Sequence, residues 1–191
     1  DSTRFNFLHT EVREERFILF KEMLSAYETD GIVLNFTELV PLCKFSEVNS
    51  LSSVLTQWIS RLRNVASKAE SDQNRRKMIY AKVPSHPDAC SMLGIEIKKW
   101  VSSKLVDGLI CQSSLMPNPM DQHCDLKWIK SVVSNSNCRI LVGTSMEIGR
   151  HFSRVATPQM INATAANAYA EGADGFGFIS GGSLINGWPW S

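Results

Sequence analysis

Five short apolar runs alternate along this chain with stretches of helical periodicity, and that alternation limits the folds open to it. The runs are residues 30–36 (DGIVLNF), 77–84 (KMIYAKVP), 106–112 (VDGLICQ), 138–144 (CRILVGT) and 173–180 (ADGFGFIS). Their length, their aliphatic content and the turn residues around them read as buried strands. Strands joined in sequence by helices pair in parallel, because each helix carries the chain back to the same end of the sheet. The expected class is α/β, with both faces of the sheet covered.

The intervening segments carry their own signals. In residues 46–70, Leu51, Val54, Leu55, Trp58, Ile59, Leu62 and Val65 fall on one stripe of an amphipathic helix. Thr10 is the expected cap of a first helix carrying Val12, Phe17, Phe20, Met23 and Leu24. Before the last strand, Thr157 and Pro158 open a helix that Gly172 closes. Trp58, Trp100 and Trp128 lie on helix stripes and are expected in the core. No linker or low-complexity tract divides the chain, so residues 1–191 read as a single unit. That length falls short of the roughly 250 residues of a closed eight-stranded α/β barrel.

Charge and composition narrow the partners. The 20 basic and 19 acidic side chains nearly cancel and form no block of one sign, which gives no electrostatic footprint for nucleic acid or a membrane surface. No run approaches the roughly 18 apolar residues of a membrane span, and the first residues are too polar for a signal peptide. Five cysteines at positions 43, 90, 111, 124 and 138 are odd in number and lack C-x-x-C spacing, so neither a zinc knuckle nor a complete disulfide framework is expected. Two sequons, at Asn35 and Asn162, would carry glycans only in a secreted or lumenal protein.

The first strand is followed by LNFTELVPLC, which contains no glycine, so the phosphate turn of a doubly wound nucleotide fold is missing. Polar residues recur instead at the carboxyl ends of the strands: Asn35 and Glu38, then Lys82, Ser85, His86 and Asp88, the last with capping of the next helix as its bland reading, then Gln112 and Ser113, then Thr144 and Glu147, then Ser180. In α/β barrels those ends build the site.

Longer stretches resemble a known family. Residues 9–36, HTEVREERFILFKEMLSAYETDGIVLNF, resemble the segment of glycoside-hydrolase-like (β/α)8 barrels in which a Pro-Glu-Val-Arg helix start leads to an Asp-Gly-Ile-Glu/His-Leu-Asp-Phe/Tyr strand. His9, Glu11, Val12 and Arg13 match the helix start, and Asp30, Gly31, Ile32, Leu34 and Phe36 match the strand. Residues 164–180, TAANAYAEGADGFGFIS, are similar to the final helix and strand, and AKVP, the Leu-Gly-Ile stretch and WVSSKLVDGLI agree in order and spacing. The resemblance runs from about His9 to Ser180. It implies a partial TIM (β/α)8 barrel whose five strands are the fourth to eighth, the first three lying upstream in a longer polypeptide. It also implies a glycan or small carbohydrate ligand, and no cofactor or metal. The sequence departs from its relatives at Asn35, where they carry an acid, and at Val33, often polar or acidic in them.

An amide at position 35 can bond a sugar hydroxyl, but it neither gives up a proton nor attacks an anomeric carbon. Glycoside hydrolysis usually needs two carboxyl groups, about 5 to 9.5 Å apart. Glu38, a residue or two beyond the first strand, and Glu147, following the fourth, are the candidate proton donor or nucleophile, with solvated loop carboxylates as the bland alternative. Lys82 points inward and needs an anionic partner, either a substrate group or a structural carboxylate. Asn35, Lys82, His86, Gln112, Trp188 and Trp190 are candidate substrate contacts, the two tryptophans as stacking plates for a sugar face. His86 reads equally as an exposed loop residue, and the tryptophans as packing. Two rival functions stand beside a glycoside hydrolase impaired by Asn35: a non-catalytic glycan-binding or scaffold protein, and a barrel that holds phosphate or flavin through the Gly-rich turn after the last strand.

Overall fold

The computed structural model describes residues 6–38, 41–113, 123–149 and 154–180. Five strands, β1 (Gly31–Asn35), β2 (Met78–Pro84), β3 (Gly108–Gln112), β4 (Arg139–Ser145) and β7 (Gly175–Ser180), form one sheet in that spatial order. Every neighbouring pair is parallel. The connecting helices are α1 (Thr10–Ser25), α2 (Val48–Gln73), α3 (Pro87–Met92), α4 (Ile97–Ser102), α5 (Lys127–Val133) and α6 (Pro158–Ala170). A two-stranded antiparallel ribbon, β5 (Glu147–Ile148) with β6 (Arg154–Val155), follows β4 and is not anticipated by the pattern of the sequence.

Because side chains alternate along a strand, the sheet has two distinct faces. One carries Ile32, Leu34, Ile79, Ala81, Val83, Leu109, Cys111, Ile140 and Val142, all buried in one cluster with Leu24, Leu51, Leu55, Ile59, Leu62, Trp100 and Ile129 of the helices. Trp58 and Trp100 are buried as expected, and Trp58 packs edge-on against Phe7 and Phe20. The other face was expected to be covered too. Among the described residues no helix covers it, and Val33 there is 52% exposed. Helices therefore line a single face, as they do around an α/β barrel, whose other face points inward.

Helix ends follow local chemistry. Thr157 accepts the Met160 N–H and Pro158 follows at the first helical position, as the sequence indicated. At α1 the cap is His9 rather than Thr10, with no side-chain bond. The apolar stripe makes α2 the best-buried helix, and Asn74, at φ 48°, closes it in the left-handed region that Asn tolerates.

Asp-Gly pairs precede β1, β3 and β7, and they fix the register. The Asp107 carboxylate accepts the Ile79 N–H of β2, and that of Asp174 accepts the Ile140 N–H of β4, each at 2.8 Å. Each aspartate thus caps the strand before it in the sheet. At β1 the carboxylate of Asp30 instead bonds Arg75, and β1 has no further neighbour among the described residues. Gly31 is required by space: a Cβ there would lie 1.9 Å from the Met78 carbonyl oxygen.

Candidate functional site

Register sorts the open face into rows. Above the Gly31–Met78 pair at the bottom of the face come Val33, Tyr80, Gly108 and Arg139. Above them, Asn35, Lys82, Ile110, Leu141 and Gly175 stand side by side across all five strands. Nearest the carboxyl ends come Pro84 and Gln112, which are paired, and Gly143 and Gly177, also paired. Gly143 is next to Gln112 because each follows a residue of the Cys111–Val142 pair.

The charged part of the site lies over β1 and β2. Lys82 Nζ donates to Glu38 Oε1 at 2.7 Å; the lysine side chain is 5% exposed and the glutamate 57%. A buried ammonium needs this compensation, since its desolvation is otherwise several kcal/mol. The Lys82 hydrogen bond holds the Glu38 carboxyl below its ordinary pKa against the opposing effect of burial, and a hydrogen bond from Asn35 and the lysine charge add to it.

Asn35 is explained by the same cluster. Its Oδ1 accepts both the backbone N–H and the hydroxyl of Thr37 at 3.1 Å, and its side-chain bond to Glu38 also lowers that carboxyl's pKa. An aspartate here would face a second carboxylate and raise one pKa of the pair. The amide supplies a donor where an acid would repel.

Glu38 is therefore an ionised carboxylate, suited to stabilising positive charge or to attack, and unsuited to donating a proton near neutrality. Glu147 is half-buried at the start of the β5–β6 ribbon, with its N–H bonded to Ser145 Oγ at 3.2 Å. β1 and β4 are three inter-strand steps apart, roughly 14 Å along the sheet at about 4.8 Å per step. The two carboxyl groups approach one glycosidic oxygen only if both side chains reach across the open face.

Gln112 lies on the open face, and its Oε1 is shielded from solvent with no hydrogen-bond partner. His86 is at the mouth, where its Nδ1 accepts the Asp88 N–H at 3.3 Å and caps α3, a role the sequence reading gave to Asp88. Trp188 and Trp190 lie outside the described residues, as do the glycines at 181 and 182 on which the phosphate reading rests. All five cysteines are free, and burial pushes the thiols of Cys90 and Cys138 up to about 12 and that of Cys124 to about 11, so these three are not thiolate nucleophiles. Among the described residues no group of three or more His, Cys, Asp or Glu is arranged to hold a metal, and no helix is long and apolar enough to cross a membrane.

Sequence reasoning did not single out Gly143 and Gly177 as part of the site. Their signal was present, since each sits inside a strand where a side chain would otherwise pack.

No protein-family profile and no curated protein sequence matches the chain. Solved structures do. The PgaB (BpsB) glycoside hydrolase domain from Bordetella bronchiseptica is similar over 94% of this chain and 60% of its own, with a TM-score of 0.57 and 13% identity. A glycoside hydrolase family 18 N-acetylglucosaminidase from Paenibacillus barengoltzii matches over 89% of this chain and 71% of its own, with a TM-score of 0.61 and 9% identity. A chitinase from Chromobacterium violaceum matches over 91% and 68%, with a TM-score of 0.53 and 12% identity. The chain thus spans 60% of the first of these structures, and at such identities the likeness is one of fold. The chain has a glycoside-hydrolase-like fold, a partial α/β barrel of parallel strands whose helices face outward.

Proposed function

We propose that this chain is the greater part of a carbohydrate-active, glycoside-hydrolase-like barrel that binds a glycan at the carboxyl ends of its strands. The observation that carries the proposal is the cluster of Asn35, Lys82 and Glu38, where a buried cation, an ionised carboxylate and an amide converge at one end of a parallel sheet. Fold likeness to glycoside hydrolases supports it. In this reading the five strands are the fourth to eighth of the barrel, and the first three continue from the open edge of β1.

Turnover would require Glu147 to act as proton donor and Glu38 as the charged carboxylate, with Asn35, Lys82, His86 and Gln112 as sugar contacts. A second, non-catalytic reading has one specific observation in its favour: Glu38 is already engaged by Lys82 and Asn35, so its lone pairs are partly occupied. Aryl-glycoside assays of the wild type, Glu38→Gln, Glu147→Gln and Asn35→Asp separate the two. Wild-type turnover that falls at least a hundredfold in either Gln variant supports the enzyme, on the order of the loss expected for an acid-base group. Glycan binding without turnover, or turnover gained only with Asn35→Asp, supports the binding protein. Failure of the wild type to bind any glycan overturns both.

A further inference from the structure

Apolar residues occupy two sides of α1. The first carries Phe17, Phe20 and Leu24: Leu24 is fully buried, Phe20 packs edge-on against Trp58 of α2, and Phe17 lies 4.0 Å beneath the Arg61 guanidinium. Val12, Leu19 and Met23 form the second, about a third of a turn away on the 3.6-residue repeat. Leu19 is 45% exposed and Met23 42%. A helix covered on one side needs one apolar stripe, so the second calls for a further neighbour. The position of α2 shows where that neighbour belongs. Glu14, which bonds Arg61 of α2, lies on the flank of α1 opposite Leu19 and Met23. The second stripe therefore faces away from β2, along the edge of β1 that has no partner among the described residues.

Charge narrows what can sit there. Glu15 and Glu22 border the second stripe on its solvent side, with Glu11 beyond them, and all three are exposed; Arg16 borders it on the side of the sheet. A chain segment that pairs with β1 and folds back as a helix covers strand edge and stripe together, as β2 and α2 do on the other flank. Carboxylates on the outer border favour Lys or Arg across the contact. A second copy of this chain, docked face to face about a two-fold axis, would set Glu15 and Glu22 against the same two residues of the copy, and like charges oppose that pairing.

We propose that the side of α1 carrying Leu19 and Met23 is the docking surface for one further amphipathic helix with Lys or Arg along its outer border, part of a strand-helix unit that pairs with β1. The inference rests on the reading above that strands continue from the β1 edge, and it adds the chemistry of the partner.

Two designed peptides of about 20 residues, long enough to hold a helix in water, serve as probes for the whole 191-residue chain. Both carry the same leucine stripe, one bordered by lysines and the other by glutamates. Affinities are read by fluorescence anisotropy at about 0.01 M and about 1 M salt, where screening lengths are roughly 30 and 3 Å. The lysine-bordered peptide should bind about threefold or more tighter at low salt, with the difference gone at high salt. Leu19→Gln with Met23→Gln should stay folded and weaken both peptides about tenfold or more, whereas Glu15→Lys with Glu22→Lys should reverse the preference.

Equal binding of the two peptides at low salt, binding of neither, or binding that survives the double Gln substitution overturns the inference. Self-association of the wild type that the double Gln substitution abolishes assigns the surface to a second copy and overturns it as well. Glycan binding is read separately, in the Glu38 and Glu147 variants, so each idea can fail without the other.

Discussion

At the scale of the residue, the pair formed by Glu38 and Lys82 is unequal, and its two halves should fail differently. Lys82 is enclosed and Glu38 faces solvent. Removing the carboxylate charge takes an anionic partner from a buried cation, whereas removing the cation leaves a carboxylate that water can serve. Glu38→Gln is therefore expected to cost about 1–3 kcal/mol, and Lys82→Met less than about 1 kcal/mol, in urea unfolding. The pH dependence has a definite sign. Glu38 has a lower pKa folded than unfolded, so its contribution is complete above the ordinary carboxylate range and is lost as pH falls through the depressed folded value. Stability should decline on acidification below about pH 4, with a smaller decline in Glu38→Gln. The sequence showed that Lys82 needed an anion. It did not show which one, because Glu38 lies 44 residues away and only the pairing of β1 with β2 brings it near. The shielded oxygen of Gln112 was equally hidden, since burial of a single atom depends on the whole sheet.

At the scale of the element, the five strands were legible because parallel strands that face helices are apolar almost without interruption. The β5–β6 ribbon was not, since two-residue strands carry no periodicity. The α2 stripe was read correctly: Leu51, Leu55, Ile59 and Leu62 are all buried, and Leu62→Ala should cost about 2–5 kcal/mol by thermal or urea unfolding. The aspartates that precede strands give a sharper test. Asp174→Ala removes the acceptor of a β4 N–H and should cost about 1–3 kcal/mol, whereas Asp30→Ala removes only an exposed ion pair with Arg75 and should cost less than about 1 kcal/mol. Equal losses at the two positions would mean that the aspartates do not act as strand caps.

At the scale of the whole molecule, the described sheet is an arc with two uncovered ends, β1 and β7. Unpaired strand edges associate with one another, so the 191-residue chain should show concentration-dependent sedimentation, reversed when strands are supplied to the β1 edge. A monomer at high concentration would contradict this. The one-sided pairing of β1 also leaves a signature at the level of single amides. Phe36 N–H bonds the Lys82 carbonyl and the Asp30 carbonyl takes the Met78 N–H, so the even-numbered groups of this strand point at β2. The amides of Ile32 and Leu34 should hold their protons for hours in heavy water while those of Val33 and Asn35 give theirs up quickly, a sawtooth of fast and slow isotope uptake along five residues. Any strand that later lies alongside would flatten that sawtooth, making the chain its own reporter of whether its sheet has been extended.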